Sequence, residues 1–324
     1  MKVLFATYPM AFHTPGGGEI QLLAYYKHLR AQGVDVSLFD PWNPRFVDHD
    51  VVHFFSCVGG SVHFCNFVKQ LGLPLVVSSS LWVTEATKHL YPIAEIHHQF
   101  SLADRVVANS DIECETLARI FNLSREKFVT VLNGVENAFY EHISSTLFRS
   151  RFNLHEKFVL NVGNIEPRKN QLQLVRAMKS VPDLKLVLIG HERDPAYARA
   201  CRDEGGDQVI YLGPLPHDSE LLRSAYTACE VFCLPSTLET PGLAALEAYA
   251  AGCRTAITEV GSTKEYFGDQ VEYLDPANPG SIVVAIRNAA AADKKSRANR
   301  DPHQLNWQTV VQPLQSIYSS LTTK

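Results

Sequence analysis

The sequence predicts an α/β protein built from two doubly wound parallel sheets, each in its own Rossmann-like domain. Three observations lead there. The chain has 324 residues, which exceeds one ordinary core and suits two domains of about 150 residues. Short β-rich runs alternate with helical runs throughout, and the strand runs are nearly all apolar, as strands covered on both faces are. Around residues 141–156 the periodicity fades into polar sequence, which reads as a linker. The expected domains are therefore 1–148 and 149–305.

In the first half the expected strands are KVLFAT (2–7), DVSLF (35–39), VVHFF (51–55), PLVVSS (74–79), RVVANS (105–110) and FVTVLN (128–133). In the second they are FVLNVG (158–163), KLVLIG (185–190), QVIYLG (208–213), VFCLP (231–235), RTAIT (254–258) and VEYL (271–274). The first helix, 18–32, carries Leu22, Tyr25, Tyr26 and Leu29 on one face at helical spacing. The last, 306–321, is amphipathic, and Pro313 is expected to kink or split it. Two such sheets facing each other would leave an interdomain cleft beyond the carboxyl ends of the strands, where ligands of doubly wound sheets sit. The residues following each strand are thus the ones to read for function.

Composition narrows the partners. The chain is 46% hydrophobic and 20% charged, an ordinary globular balance. Its net charge of −4 argues against nucleic acid, whose phosphates need a surplus of Lys and Arg. The same balance leaves room for no more than a weak peripheral contact with a membrane. Seven scattered cysteines without a CxxC read as reduced, buried thiols rather than metal ligands. The opening MKVLFAT reads as a strand and no apolar run reaches membrane-spanning length. A cytoplasmic location, extending to the inner face of the membrane, is therefore expected. The oligomeric state is not indicated.

Four stretches carry candidate chemistry. After the first strand, Gly16, Gly17 and Gly18 lead into a helix, where free amides and the helix dipole attract an anion. A plain flexible turn accounts for them equally. After the strand ending at Gly163, NIEPRKNQ brings Arg168 and Lys169 together at a strand-to-helix boundary. Such a pair suits a diphosphate, and a solvated charged turn is the alternative. The turns after Gly190 and around Leu215 place small and polar residues where a nucleobase would lie. The fourth stretch, STLETPGLAALEAYAAG (236–252), sets Glu239 before a Pro-Gly break and Glu247 inside a helix. A helix starting near Gly242 puts Leu243, Leu246, Glu247 and Ala250 on one stripe. An unpaired acid there would cost several kcal/mol. The conflict resolves if Glu247 lies at a cleft rim and accepts the hydroxyls of a ribose, or if a nearby Lys or Arg pairs with it. The amides of Gly242 and Leu243 would then be free donors for a phosphate.

These residues resemble the retaining glycosyltransferases of family 4, of GT-B architecture, and the likeness runs over nearly the whole chain. Its most specific piece is the E-x(7)-E pair, Glu239 to Glu247, within PSTLETPGLAALEAYAAG. GGGE (16–19), VVANSDIECETL (106–117), VLNGVE (131–136), VGNIEPRKN (162–170) and YLGPLPHDSELLRSAYTACEVFCLPS (211–236) follow in order. The resemblance implies sugar transfer from a nucleotide-diphosphate sugar, UDP or GDP being the carrier, to a glycan or lipid-linked acceptor, as in polysaccharide biosynthesis. It implies retained anomeric configuration, with no cofactor and no metal. By position, Glu247 would bind the donor ribose, Glu239 the transferred sugar, and the Gly242 and Leu243 amides a phosphate. Arg168 and Lys169 would neutralise the departing diphosphate, and the Gly16–Gly18 loop would approach it from the first, acceptor-binding domain. The closing helix 306–324 would pack back on that domain.

The chain departs from the family pattern at three places. Asn164 stands where many members carry Arg, Thr240-Pro241 replaces the usual Gly-Phe, and Ser80 and Trp82 stand in the region of a sugar-contacting histidine. Two rival readings fit the same donor-binding residues: a sugar-nucleotide epimerase, and a sugar-nucleotide-binding protein without turnover. The missing dinucleotide fingerprint argues against a dehydrogenase.

Overall fold

The computed structural model describes residues 1–13, 15–292 and 305–322. The chain forms two compact units, Met1–Gly134 with Leu305–Lys324, and Val135–Gln304. The first contains β1 (Lys2–Thr7), β2 (Asp35–Leu38), β3 (Val51–Phe55), β4 (Leu75–Ser78), β5 (Arg105–Ala108) and β6 (Phe128–Thr130). They form one parallel sheet in the order β2-β1-β3-β4-β5-β6. The second contains β7 (Phe158–Val162), β8 (Lys185–Ile189), β9 (Val209–Tyr211), β10 (Val231–Leu234), β11 (Thr255–Thr258) and β12 (Glu272–Leu274). Its parallel sheet runs β12-β11-β10-β7-β8-β9.

Every strand read from the sequence is present, most of them shorter than expected at the carboxyl end. The trimmed residues are those that leave the ladder. Gly163, Gly190 and Gly213 turn away at φ +151°, +154° and +72°, beyond the reach of a β-branched residue. Such departures free the strand ends for loops. Residues β4 Leu75–Ser78 and β10 Val231–Leu234 are buried on both faces, which is why those runs lack alternation.

One expectation needs correction. The polar stretch 141–156 is not a linker outside both units. It contains the helix Thr146–Phe152, whose Phe148 is fully buried and donates its amide to Ser224 Oγ at 3.0 Å. One deeply packed aromatic anchors a segment whose average composition reads as polar. The closing helix splits beside Pro313, the second of the two outcomes expected of that residue. It divides into Trp307–Val310 and Gln312–Thr322, with Pro313 in the first turn of the second piece, where its missing N–H costs nothing.

These closing helices belong to the first unit. Trp307 packs edge-on against Tyr25 with ring centroids 5.8 Å apart. Gly134 admits it: a Cβ there would lie 2.8 Å from the Trp307 amide and 2.9 Å from its ring. Further along, the Tyr318 hydroxyl lies 2.6 Å from His53 Nδ1, and Ser78 Oγ lies 2.8 Å from His53 Nε2. His53 is wholly buried, and burial lowers its pKa to about 3. It folds neutral and unfolds into water, where it takes a proton below the usual 6.5. The stability this neutral imidazole confers is therefore complete above pH 6.5 and drains as pH falls toward 3, at up to about 1.4 kcal/mol per pH unit. Urea unfolding of the wild type should weaken between pH 7 and pH 5 more steeply than that of His53→Gln. Equal slopes would show that His53 plays no part in the acid response.

Candidate functional site

The second sheet reverses its winding between β7 and β10. Loops at the carboxyl ends of these two strands diverge and leave a ligand crevice in folds of this kind. Asn161, buried in β7, donates from Nδ2 to the Cys233 carbonyl in β10 at 2.8 Å and ties the strands at this point. Beyond β7 the chain makes a 3-10 turn at Pro167–Lys169. The next residue, Asn170, adopts φ +60° and donates from Nδ2 to the Pro235 and Pro276 carbonyls at 3.0 and 2.9 Å. The Arg168 carbonyl accepts the Thr237 amide at 2.9 Å. The turn carrying the two cations is thus stapled to the segment that follows β10.

That segment carries Glu239. Its backbone is pinned on both sides: its amide donates to the Val260 carbonyl at 3.1 Å, and its carbonyl accepts the Ser262 amide at 3.0 Å. Its carboxylate is buried, with Oε1 2.6 Å from Lys169 Nζ and 2.5 Å from Ser236 Oγ. Burial alone would raise its pKa. The charges of Lys169 and Arg168, with the hydrogen bonds from Lys169 and Ser236, outweigh burial and hold it below the usual carboxylate range. Gly242 follows at φ +86°, and a Cβ there would meet Leu234 Cδ2 at 2.8 Å and Glu239 Oε2 at 3.2 Å. Glycine is what lets the helix Leu243–Ala250 begin against this carboxylate. The Gly242 carbonyl takes the Ala245 and Leu246 amides, while those of Leu243 and Ala244 open the helix, where its dipole favours negative charge.

One turn into that helix stands Glu247, on the stripe it shares with Leu246 and Ala250. Its Oε1 lies 2.6 Å from His217 Nε2, and its Oε2 accepts the Tyr226 hydroxyl at 2.7 Å. Both oxygens are therefore engaged, and the partners are a histidine and a tyrosine rather than the Lys or Arg that the sequence offered as an alternative to ribose. Each oxygen keeps a second lone pair for another donor. Tyr226 is buried, and burial followed by the neighbouring carboxylate pushes its phenol pKa well up.

The other sequence candidates separate by role. Lys169 does not stand free beside Arg168: its ammonium turns inward to Glu239, while Arg168 is exposed and pairs with Glu166 at 3.2 Å. Likewise Glu239 does not project from its loop but is held inside it. Asn164 receives Gln171 Nε2 on its carbonyl at 2.9 Å, and Leu215 is half-buried on the loop that bears His217. Gly190 answers to the protein's own backbone, because a Cβ there would lie 1.9 Å from the Gly163 carbonyl oxygen. Gly190→Ala should therefore destabilise the second unit by about 3 kcal/mol or more, read as a lowered thermal midpoint. A midpoint unchanged from wild type would contradict this close approach.

In the first unit Gly16, Gly17 and Gly18 follow β1, beside the point where that sheet reverses between β1 and β3. The Gly16 amide is taken by Glu19 Oε2 at 2.7 Å, so one expected anion donor already caps its own helix. A Cβ on Gly18 would meet only the Ser80 side chain, its Oγ at an ordinary 3.6 Å and its Cβ at 3.9 Å. The fold therefore does not itself demand that glycine.

Sequence reading missed His217, Tyr226 and Ser236. The signal for Tyr226 was its buried position on the helix Glu220–Ala228, and for His217 a lone imidazole in a Pro-rich turn. Neither names Glu247 as its partner.

Comparison with known proteins finds relatives for the segment that carries these residues. Residues 144–302 match the family described as glycosyl transferases group 1. A D-inositol 3-phosphate glycosyltransferase of Mycolicibacterium smegmatis is 28% identical over 233 residues, covering 67% of this chain and 53% of that protein. One of Catenulispora acidiphila is 29% identical over 306 residues, covering 84% and 72%. Sucrose-phosphate synthase of Thermosynechococcus elongatus superimposes with a TM-score of 0.80 at 20% identity over 99% of both chains. HepE of Anabaena, solved with UDP, gives 0.79 at 18% identity over 99% of this chain and 100% of its own. The chain has the GT-B fold, and its second half resembles the group 1 glycosyl transferases. It spans about half the length of most of the curated relatives it matches. Lys169, His217, Tyr226, Glu239 and Glu247 all lie inside the segment that the family model matches. Among the described residues no helix is long and apolar enough to cross a membrane.

Proposed function

We propose that the chain transfers a sugar from a nucleotide-diphosphate sugar to a hydroxyl of a glycan or glycolipid, with retained configuration and without a metal, as a family 4 enzyme of polysaccharide synthesis in the cytoplasm. The observation that carries this reading is the segment after β10. It presents a cation-braced carboxylate, a helix N-terminus and a second carboxylate in sequence beside the point where the sheet reverses. Sugar hydroxyls, phosphate and ribose diol occur in that same order along a nucleotide sugar. Structural neighbours bound to UDP and to UDP-glucose support a UDP-linked donor.

In this reading Glu247 accepts the ribose hydroxyls on its remaining lone pairs, and Glu239 accepts hydroxyls of the transferred sugar. The Leu243 and Ala244 amides face a phosphate, with Gly242 giving them access. Lys169 and Arg168 add positive charge where the leaving diphosphate gains negative charge, and fixed cations act there with little reorganisation. The bond from the anomeric carbon to the diphosphate oxygen breaks. The acceptor oxygen bonds to the same face of that carbon, and its proton passes to a diphosphate oxygen. Incubation with UDP-, GDP-, ADP- and TDP-sugars, with and without simple glycoside acceptors, tests the reading. Transfer or slow hydrolysis with one carrier is expected. An absence of both turnover and calorimetric binding across the panel would overturn it, and conversion of the donor sugar without acceptor would mark an epimerase instead.

A further inference from the structure

The two partners of Glu247 differ in freedom. Tyr226 is locked in the core, its ring 5.7 Å from Phe232 and 5.9 Å from Phe139. His217 sits on the loop between β9 and the helix Glu220–Ala228, its side chain 36% exposed against 7% for that of Glu247. Any molecule approaching Glu247 from solvent therefore meets the imidazole first.

We propose that His217 holds the ribose position on Glu247 until a nucleotide-sugar donor exchanges it for the ribose diol, and that this exchange expels a proton. The inference rests on the reading of Glu247 as the ribose carboxylate. A diol offers two O–H donors for the one N–H withdrawn, so the carboxylate gains hydrogen bonds in the exchange. The loop is the part that moves, because the Tyr226 bond holds Glu247 from behind.

The proton follows from what faces the ring. Glu247 approaches from its helix, Glu136 from the segment before the 3-10 turn Asn137–Phe139, and Asp218 from the same loop. The Tyr226 phenol shares the Glu247 carboxylate, and the Phe139 ring centroid lies 5.8 Å away. Burial disfavours the imidazolium, but the hydrogen bond and charge of Glu247, then Glu136 and Asp218, raise its pKa overall. Leaving Glu247 removes the largest of these supports, so the ring releases its proton. Donor affinity should then rise with pH, by up to about tenfold per unit, between the pKa of the displaced ring and that of the paired ring, and be flat above the latter.

Calorimetry with UDP-, GDP- and ADP-glucose tests this, since these diphosphate diesters do not themselves titrate between pH 5 and 8. The best-binding probe is measured at several pH values in buffers of different ionisation heat. The wild type should release part of a proton at pH 6.5–7 and bind about tenfold tighter at pH 7.5 than at pH 5.5. His217→Gln, which can still donate to Glu247 but cannot titrate there, should release none and show a flat profile, with an unchanged thermal midpoint. A wild type that binds without releasing a proton, or a variant that keeps the wild-type slope, overturns the exchange and leaves the donor reading standing. A variant more than tenfold weaker at pH 7.5 also overturns it, since the imidazole would then support the donor rather than yield to it. Binding of none of the probes at any pH removes both readings.

Discussion

Lys169→Ala is expected to lower stability by about 3–5 kcal/mol at pH 7, because it strands a buried carboxylate without its counter-charge. Glu239 retains only the Ser236 hydroxyl in that variant, together with the distant charge of Arg168. The sign of the pH dependence separates this cause from simple loss of packing. In the wild type the folded Glu239 pKa lies below the unfolded value, so the pair stabilises above pH 4.5 and its contribution fades as pH falls through the folded value. In the variant burial dominates and the folded pKa rises, so the penalty is small in acid and grows as pH increases. Urea unfolding at pH 4.5 and pH 7 should therefore show the variant converging on wild type at the lower pH. The double variant Lys169→Met/Glu239→Gln should recover most of the lost stability, since a neutral pair of similar volume leaves no buried charge. It should not recover sugar transfer, which would fall at least about a hundredfold in both variants if the cation and carboxylate act on the donor. A double variant as unstable as Lys169→Ala would show that the ion pair is not what the lysine contributes.

The particular residues show why the fold was more legible than the site. Val51–Phe55 and Val231–Leu234 are runs whose burial on both faces leaves no alternation, and that absence itself points to a covered parallel sheet. A strand is a local object of a few residues, and its pattern survives in the letters. The bonds of the site are not local. Lys169 and Glu239 are separated by 70 positions, and Glu247 lies 30 from His217 and 21 from Tyr226. Periodicity shows that an acid on an apolar stripe must have a partner, but it does not carry that partner's identity. Glycine is the other blind spot. Gly190 and Gly18 are the same letter in a loop beyond a strand, yet one is fixed by a carbonyl 1.9 Å from its missing Cβ and the other meets only a serine side chain, no nearer than 3.6 Å. The linker failed for a related reason. A single aromatic, Phe148, decides where 141–156 belongs, and average polarity hides it.

Glu247→Ala is expected to weaken donor binding by about 10²–10⁴-fold, since two hydroxyl bonds to a carboxylate contribute roughly 1.5–3 kcal/mol each. Part of any loss could come from the protein alone, because the variant leaves the Tyr226 hydroxyl buried without its acceptor, at a cost of about 1–3 kcal/mol. Pairing the substitution with a 2′-deoxyribose donor separates the two. In the wild type the deoxy donor should bind about ten to a hundredfold more weakly than the ribose donor. In Glu247→Ala the two donors should bind alike, because the group that distinguishes them is gone, and the difference between differences isolates the direct contact. Tyr226→Phe supplies the complementary case: it removes the hydroxyl from Oε2 but leaves the carboxylate, so discrimination against the deoxy donor should persist while stability falls modestly. If Glu247→Ala instead keeps the wild-type discrimination, the carboxylate serves only to clamp Tyr226 and His217. The ribose would then have to be received elsewhere on the second sheet, and the eight-position spacing of the two acids would reflect the packing of one helix against its neighbours rather than the dimensions of a nucleotide sugar.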